Sequence, residues 1–292
     1  MIVHLVDGTY EIFRQYYAPR PGHLDSDGIE IGATRGVVQS VFMMLQDGAT
    51  HVGVATDHVI ESFRNDLWPT YKSSTGMDPL LLAQFDWLED ALRALGVTVW
   101  PMVDLEADDG LASAAAVAAS DPRVERVIIC TPDKDLGQCV GGKVVQLDRR
   151  QDKLIDADGV IAKFGVAADS IPDWLALVGD SADGFPGLAG FGAKSAATLL
   201  ARYRHLEDIP TSAEDWDVTV RGAAKLAATL ASQRTDAELF KVLATLRTGA
   251  DVGTVDDWRW TGPTDDFPAW CQRFGWPRLA KDAAALAAAR HA

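Results

Sequence analysis

The sequence predicts an α/β fold, with a central, mostly parallel sheet covered by helices and a smaller helical domain after it. Two patterns lead there. Short runs rich in β-branched residues alternate with Ala- and Leu-rich helical stretches, the signature of a parallel sheet with crossover helices, and these strand-like runs stop after about residue 160. With 292 residues and 48% hydrophobic content, the chain can bury a full core.

The elements follow in order. Residues 2–6 form an apolar run that passes straight into Asp7; it lacks the basic flank and length of a signal peptide or membrane span and reads as a buried strand. Further strands are expected at 51–55, 97–100, 127–130 and 144–147. Between the second and third, Leu81, Phe85, Leu88, Leu92 and Leu95 recur at three- and four-residue steps, so 79–95 is an amphipathic helix with Pro79 in its first turn. Beyond residue 160, helices are expected at 171–178, 194–203, 220–232 and 236–247, with an Ala-rich helix from Lys281. The tail carries Trp258, Trp260, Trp270 and Trp276, which read as packing groups. The expected division is 1–168 for the α/β domain and 169–292 for the helical one.

Composition narrows the function. A formal charge of −15 argues against a protein that coats nucleic acid non-specifically, since such proteins release counterions through a basic surface. Cys130, Cys139 and Cys271 form no C-x-x-C pair and suit a reducing cytoplasm.

Acid follows each of the first four strands: Asp7, then Asp57, then Glu106, Asp108 and Asp109, then Asp133 and Asp135. Acids occupy 42 of 292 positions, so single strand-end acids alone are weak evidence; the doubling in Glu106-x-Asp108-Asp109 and Asp133-x-Asp135 strengthens it. Ligands of open α/β sheets bind outside the carboxyl ends of the strands, so these groups are expected in one crevice. Asp180 and Asp183 add a fifth group in a Gly-rich stretch. Carboxylates about 4 Å apart repel by roughly 4 kcal/mol at an effective dielectric of 20, which calls for cations. A donor set of carboxylates, with no His or Cys at ligand spacing, prefers Mg²⁺ or Mn²⁺ to Zn²⁺. Two such ions suit phosphodiester hydrolysis without a side-chain nucleophile.

At these residues the sequence resembles the 5′ nuclease family, which includes flap endonucleases and the 5′-3′ exonuclease domain of bacterial DNA polymerase I. The match runs from Asp7 to about Val252 through Val6-Asp7-Gly8, Ala55-Thr56-Asp57, Leu105-Glu106-Ala107-Asp108-Asp109, Thr131-Pro132-Asp133-Lys134-Asp135-Leu136 and Gly179-Asp180-Ser181-Ala182-Asp183. The resemblance implies a PIN-like catalytic domain. It also implies nine metal-coordinating acids, namely Asp7, Asp57, Glu106, Asp108, Asp109, Asp133, Asp135, Asp180 and Asp183, with Asp7, Asp108 and Asp135 among the catalytic groups. A DNA-binding helix-three-turn-helix is implied near 179–203, where Gly190, Gly192, Lys194 and Ser195 are the expected contacts and K⁺ can bind backbone carbonyls. The glycines allow close approach to a phosphate, and the following helix N-terminus offers N–H groups to an anion. A P-loop is the rival reading, but Ala193 stands where it needs Gly before Lys194 and the loop follows a helix.

The family's helical arch maps near 62–84, with Tyr71 expected to stack on a base and Lys72 to reach the scissile phosphate; Arg14 and Arg64 are further phosphate candidates. Three positions depart from the family: Thr75 for a basic residue, followed by Gly76 and Asp78; Gly184 for the common Asn; and Thr56 for an aromatic residue. No polymerase domain is expected within the chain.

The resemblance implies DNA with a 5′ flap, nick or free 5′ end as partner, a separate DNA polymerase nearby, no membrane, and a monomeric cytoplasmic enzyme. Removing the nine site carboxylates takes the charge from −15 to −6, so DNA binding must use local basic groups such as Lys72, Lys194, Arg202, Arg204, Arg221 and Lys225. Two alternatives are a PIN-like ribonuclease, which needs fewer acids and generally lacks the helix-three-turn-helix, and a catalytically inactive DNA-structure-binding protein, which would not need the complete acid set.

Overall fold

A computed structural model describes residues 1–19 and 22–291. Six strands are present: β1 (Ile2–Asp7), β2 (His51–Asp57), β3 (Thr98–Met102), β4 (Arg126–Cys130), β5 (Val144–Asp148) and β6 (Lys153–Ile155). The first five lie where the apolar runs predict them. The sixth is three residues long with two exposed, and so gives no periodic signal.

The chain divides into two compact units. The first comprises residues 1–60, 74–130 and 248–292. Its strands are parallel in the order β3-β2-β1-β4, with Val6 level with Cys130, Asp7 with Ala55 and Asp57 with Met102. Helices α1 (Gly8–Tyr16) and α2 (Gly32–Gln46) join β1 to β2. A later helix, Pro79–Ala94, precedes β3, and another, Ala107–Ser120, joins β3 to β4. Because the connections first advance from β1 to β3 and then reverse to β4, right-handed crossovers put helix Ala107–Ser120 on the opposite face from the others. Val3, Leu5, Val54 and Ile129 have no exposed surface.

A single cut near residue 168 does not describe this arrangement, because the tail returns to the first unit. Trp100 and Trp258 meet edge to face with centroids 5.3 Å apart, both indole N–H groups donate to Val252 O, and Trp260 donates to Leu95 O at 2.8 Å. Two of the four tail tryptophans, Trp258 and Trp260, are thus buried packing groups.

The second unit comprises residues 61–73 and 131–247. Strands β5 and β6 pair antiparallel. In chain order after the helices above, the chain forms α3 (Phe63–Leu67), α4 (Pro79–Ala94), α5 (Ala107–Ser120), α6 (Ala157–Phe164), α7 (Ile171–Val178), α8 (Ala193–Tyr203), α9 (Ala223–Ser232), α10 (Arg234–Ala244), α11 (Phe267–Arg273) and α12 (Pro277–His291). Helices α7 to α10 occupy the four regions in which helix was expected. Ile171, Leu175, Leu199, Phe185 and Phe240 build the second unit's core, where Phe185 and Phe240 stack at 5.6 Å.

The region expected as the arch, near 62–84, consists of two helices joined by an irregular stretch. Residues 68–78 are irregular between α3 and α4, and their composition explains it: Pro69 lacks a donor, Ser73-Ser74-Thr75 favours turns, and Gly76 takes a φ of +83°. Helix α4 starts where Asp78 caps it, accepting the Leu80 N–H, with Pro79 in the first turn.

Candidate active site

In the first unit the acids gather at the carboxyl edge of the sheet. Asp7 ends β1 and caps α1, accepting the Tyr10 N–H at 2.8 Å. Since the strand order reverses about β1, Asp7 stands at the topological switch point, where such sheets bind ligands. Asp57 ends β2, and its Oδ1 accepts the Ala107 N–H at 2.6 Å, placing the carboxylate on the positive end of α5. Glu106 and Asp109 form a reciprocal cap at the same helix, with the Glu106 N–H donating to Asp109 Oδ2 at 3.0 Å. Asp7, Asp57, Glu106 and Asp109 are buried, and Asp108 is half-buried.

The second unit holds a tighter group. Carboxylate oxygens of Asp135, Asp180 and Asp183 lie within 4.8 Å of one another. Each pair at that distance repels by roughly 3–4 kcal/mol at an effective dielectric of 20. Burial, and then the neighbouring charges of Asp133, Asp183 and Asp180, push the Asp135 carboxyl well above the usual range. Its Oδ1 is buried and has no hydrogen-bond partner among the described residues. Lys134 Nζ lies 2.7 Å from Asp180 Oδ2; burial opposes the charged ammonium, yet Asp180 and the other acids outweigh it and raise the lysine. An all-oxygen donor set, mutual repulsion and an orphaned buried oxygen together fit a hard divalent cation. Asp133 is exposed, and its Oδ1 accepts the Asp135 N–H at 3.2 Å.

Lys72 is half-buried and fixed beside this group by its backbone: its N–H donates to Asp183 O at 3.1 Å, and its carbonyl accepts from Asn65 Nδ2. Gly184 makes that approach possible. It has a φ of +81°, and a Cβ there would lie 2.1 Å from Thr70 O. Its carbonyl accepts from Trp68 Nε1 at 3.0 Å and Thr70 Oγ1 at 3.1 Å. The departure from Asn is thus a close packing of two backbones with no room for a side chain.

Two expected DNA contacts are overturned by burial. Tyr71 is 4% exposed and belongs to the second unit's core, so it offers no face to a base. Arg64 is 1% exposed; its guanidinium donates to Leu243 O at 2.7 Å and Thr245 O at 3.2 Å, holding the carbonyl end of α10. Arg14 pairs with the buried Glu11. Arg202 and Arg204 pair with Asp217 and Asp169, which reduces the charge they offer to DNA.

The loop between α7 and α8 keeps the expected form. Gly187 has a φ of +66°, and a Cβ there would lie 2.3 Å from Gly179 N. Gly190, Gly192 and Lys194 are exposed. Ser195 Oγ exchanges hydrogen bonds with the Gly192 N–H and carbonyl at 3.0 Å each, so this hydroxyl caps α8.

Sequence reasoning missed three groups. Lys134 stands between two acids in the sequence and meets Asp180 in the fold. Thr56 Oγ1 donates to the buried Glu89 at 2.7 Å, and His58 Nδ1 meets Glu89 Oε2 at 3.1 Å and Asp86 Oδ1 at 3.6 Å. A His therefore does meet two carboxylates, contrary to the sequence reading, through partners 28 and 31 positions downstream. Gln138 donates to Ala244 O and accepts from the Leu246 N–H.

The fold is an α/β sheet with acids at its carboxyl edge, and comparison with known proteins gives the family. Residues 2–165 match the family described as 5′-3′ exonuclease, N-terminal resolvase-like domain, and residues 166–266 match 5′-3′ exonuclease, C-terminal SAM fold. The chain belongs to the 5′-3′ exonuclease family. It is similar to a 5′-3′ exonuclease of Aquifex aeolicus, 29% identical over 86% of this chain and 83% of that one. DNA polymerase I of Pseudomonas aeruginosa is 33% identical over 87% of this chain, but the match spans only 28% of the polymerase. Among solved structures, a mutant of T5 5′-exonuclease has a TM-score of 0.63 at 16% identity, covering 98% of this chain and 99% of that one. Flap endonuclease-1 from Methanococcus jannaschii has a TM-score of 0.62 at 14% identity, covering 99% and 93%. These last two likenesses are of fold.

Proposed function

We propose that this chain is a divalent-cation-dependent 5′ nuclease that hydrolyses DNA phosphodiesters at 5′ flaps and 5′ ends. The observation that carries the reading is the Asp135, Asp180 and Asp183 group, whose crowding and orphaned oxygen are costly unless a cation is held there. In the first unit Asp7, Asp57, Glu106, Asp108 and Asp109 are further proposed ligands for Mg²⁺ or Mn²⁺, and in the second Asp133 stands beside the Asp135 group. Such ions, when bound, acidify a coordinated water and neutralise phosphate charge.

The chain's own groups do the positioning. Lys72 offers its ammonium to the phosphate, held by its backbone contacts to Asp183 and Asn65. The exposed turn at Gly190 and Gly192, with Lys194 and the start of α8, receives a duplex phosphate. Carbonyls of the same loop are the proposed K⁺ ligands. Within this proposal the enzyme is monomeric and cytoplasmic and works beside a separate DNA polymerase; no described helix is long and apolar enough to cross a membrane. Incubation with 5′-labelled flap, nicked and 5′-ended DNA, and with RNA of the same sequences, tests the reading. Cleavage of flap and 5′-ended DNA that requires Mg²⁺ or Mn²⁺ supports it, whereas cleavage confined to RNA overturns it.

A further inference from the structure

The lysine between Asp133 and Asp135 turns back into the carboxylate group. Lys134 Nζ holds Asp180 Oδ2 at 2.7 Å, while Asp180 Oδ1 accepts the Ala182 N–H at 2.9 Å. Both oxygens of a carboxylate only 3% exposed are therefore engaged within the chain. Asp135 Oδ1, in the same group, has no hydrogen-bond partner among the described residues. A cation held among Asp135, Asp180 and Asp183 would meet, at Asp180, a carboxylate whose Oδ2 already carries the Lys134 ammonium.

We propose that Lys134 is a tethered internal cation: it neutralises this group when no divalent ion is bound, competes with that ion for Asp180, and withdraws when the ion enters. The inference rests on the cation-site reading given above. Lysine suits the role chemically. Its ammonium is a compact charge on a flexible stem that is one-third exposed, so it has a route to water, whereas a guanidinium forms a planar, bidentate grip that releases less readily. The consequence is a weaker, more reversible ion site than the carboxylates alone would make, and a metal-free state that stays folded.

The test uses Mn²⁺ alone, titrated into the full chain by calorimetry and by the electron paramagnetic resonance of free Mn²⁺, with Asp135→Asn to identify the site. In Lys134→Met, Mn²⁺ should bind that site about 10- to 100-fold more tightly, the range set by losing one charged hydrogen bond that the ion must otherwise displace. Lys134→Arg should bind it more weakly than wild type. Lys134→Met affinity equal to or below that of wild type overturns the proposal while leaving the site intact, provided Asp135→Asn has lost the binding. Mn²⁺ binding unchanged in Asp135→Asn overturns the site reading itself, and the lysine role with it. Should Lys134→Met fail to fold in EDTA, wild type with ¹³C-dimethylated lysines serves instead. The Lys134 resonance, identified by its absence in Lys134→Arg, must shift saturably as Mg²⁺ is added, and an unmoved resonance at saturation refutes the displacement.

Discussion

Replacing Asp135 by Asn should stabilise the metal-free protein while destroying its response to cations. The wild-type carboxylate faces Asp180 and Asp183 within 4.8 Å, and each such pair repels by roughly 3–4 kcal/mol at an effective dielectric of 20. Lys134 beside Asp180 offsets about one pair, so the neutral amide should gain about 3 kcal/mol in EDTA. The pH dependence has a definite sign. Because folding raises the Asp135 carboxyl above its ordinary value of 3.8, its contribution is fully present below that value and is lost as pH rises through the folded value. In EDTA, wild type should therefore weaken as pH rises above about 4 relative to Asp135→Asn. Urea unfolding of both proteins in EDTA and in saturating Mn²⁺, from pH 4 to 8, measures this. Cleavage by Asp135→Asn should fall beyond the roughly 10- to 100-fold cost of losing a mere outer-sphere partner. A variant that is less stable in EDTA and is still stabilised by Mn²⁺ as wild type is would refute the reasoning.

Gly184→Ala must push Thr70 away from the 180–185 turn and strain a positive φ, at a cost of about 3 kcal/mol or more from the strain plus two or three lost hydrogen bonds; a denaturation midpoint within error of wild type contradicts that packing. Lys72→Ala should slow single-turnover flap cleavage by about 10²- to 10³-fold with a much smaller loss of DNA binding, and an unchanged rate removes Lys72 from the site. Burial pushes the Cys271 thiol up to about 11 and Cys130 is also buried, so native protein should expose one fast-reacting thiol, Cys139, to a disulfide reagent and all three after denaturation; three fast thiols in the native state would show the core to be open.

Much of the fold was legible because its signals are local. Five strands announce themselves as apolar runs, and α4 is marked by both its Leu and Phe spacing and the Asp78-Pro79 start. The acids at strand ends were legible for the same reason. What failed depends on contacts remote in sequence. Nothing local distinguishes a Tyr71 that stacks on DNA from one packed in a core, or an Arg64 that meets phosphate from one that holds two carbonyls some 180 positions away. Likewise, Trp258 and Trp260 read correctly as packing, but the surface they pack on, near Trp100 and Leu95, could not be read, and with it the return of the tail to the first unit. Lys134 shows the reverse case: its position between two acids is visible in the sequence, and only the folded chain shows where its ammonium points.

In the proposed function these carboxylates, charged with divalent cations, cut DNA at 5′ flaps and ends. Single-turnover incubation of the purified chain with a 5′-labelled flap duplex, in EDTA and in Mg²⁺ or Mn²⁺, tests it most directly. The account predicts cleavage only with the divalent ion, products bearing 5′-phosphate and 3′-hydroxyl ends, and none from Asp108→Ala or Asp135→Ala, although both still bind the duplex. Equal cleavage in EDTA, 3′-phosphate products, or full activity in either variant would contradict it.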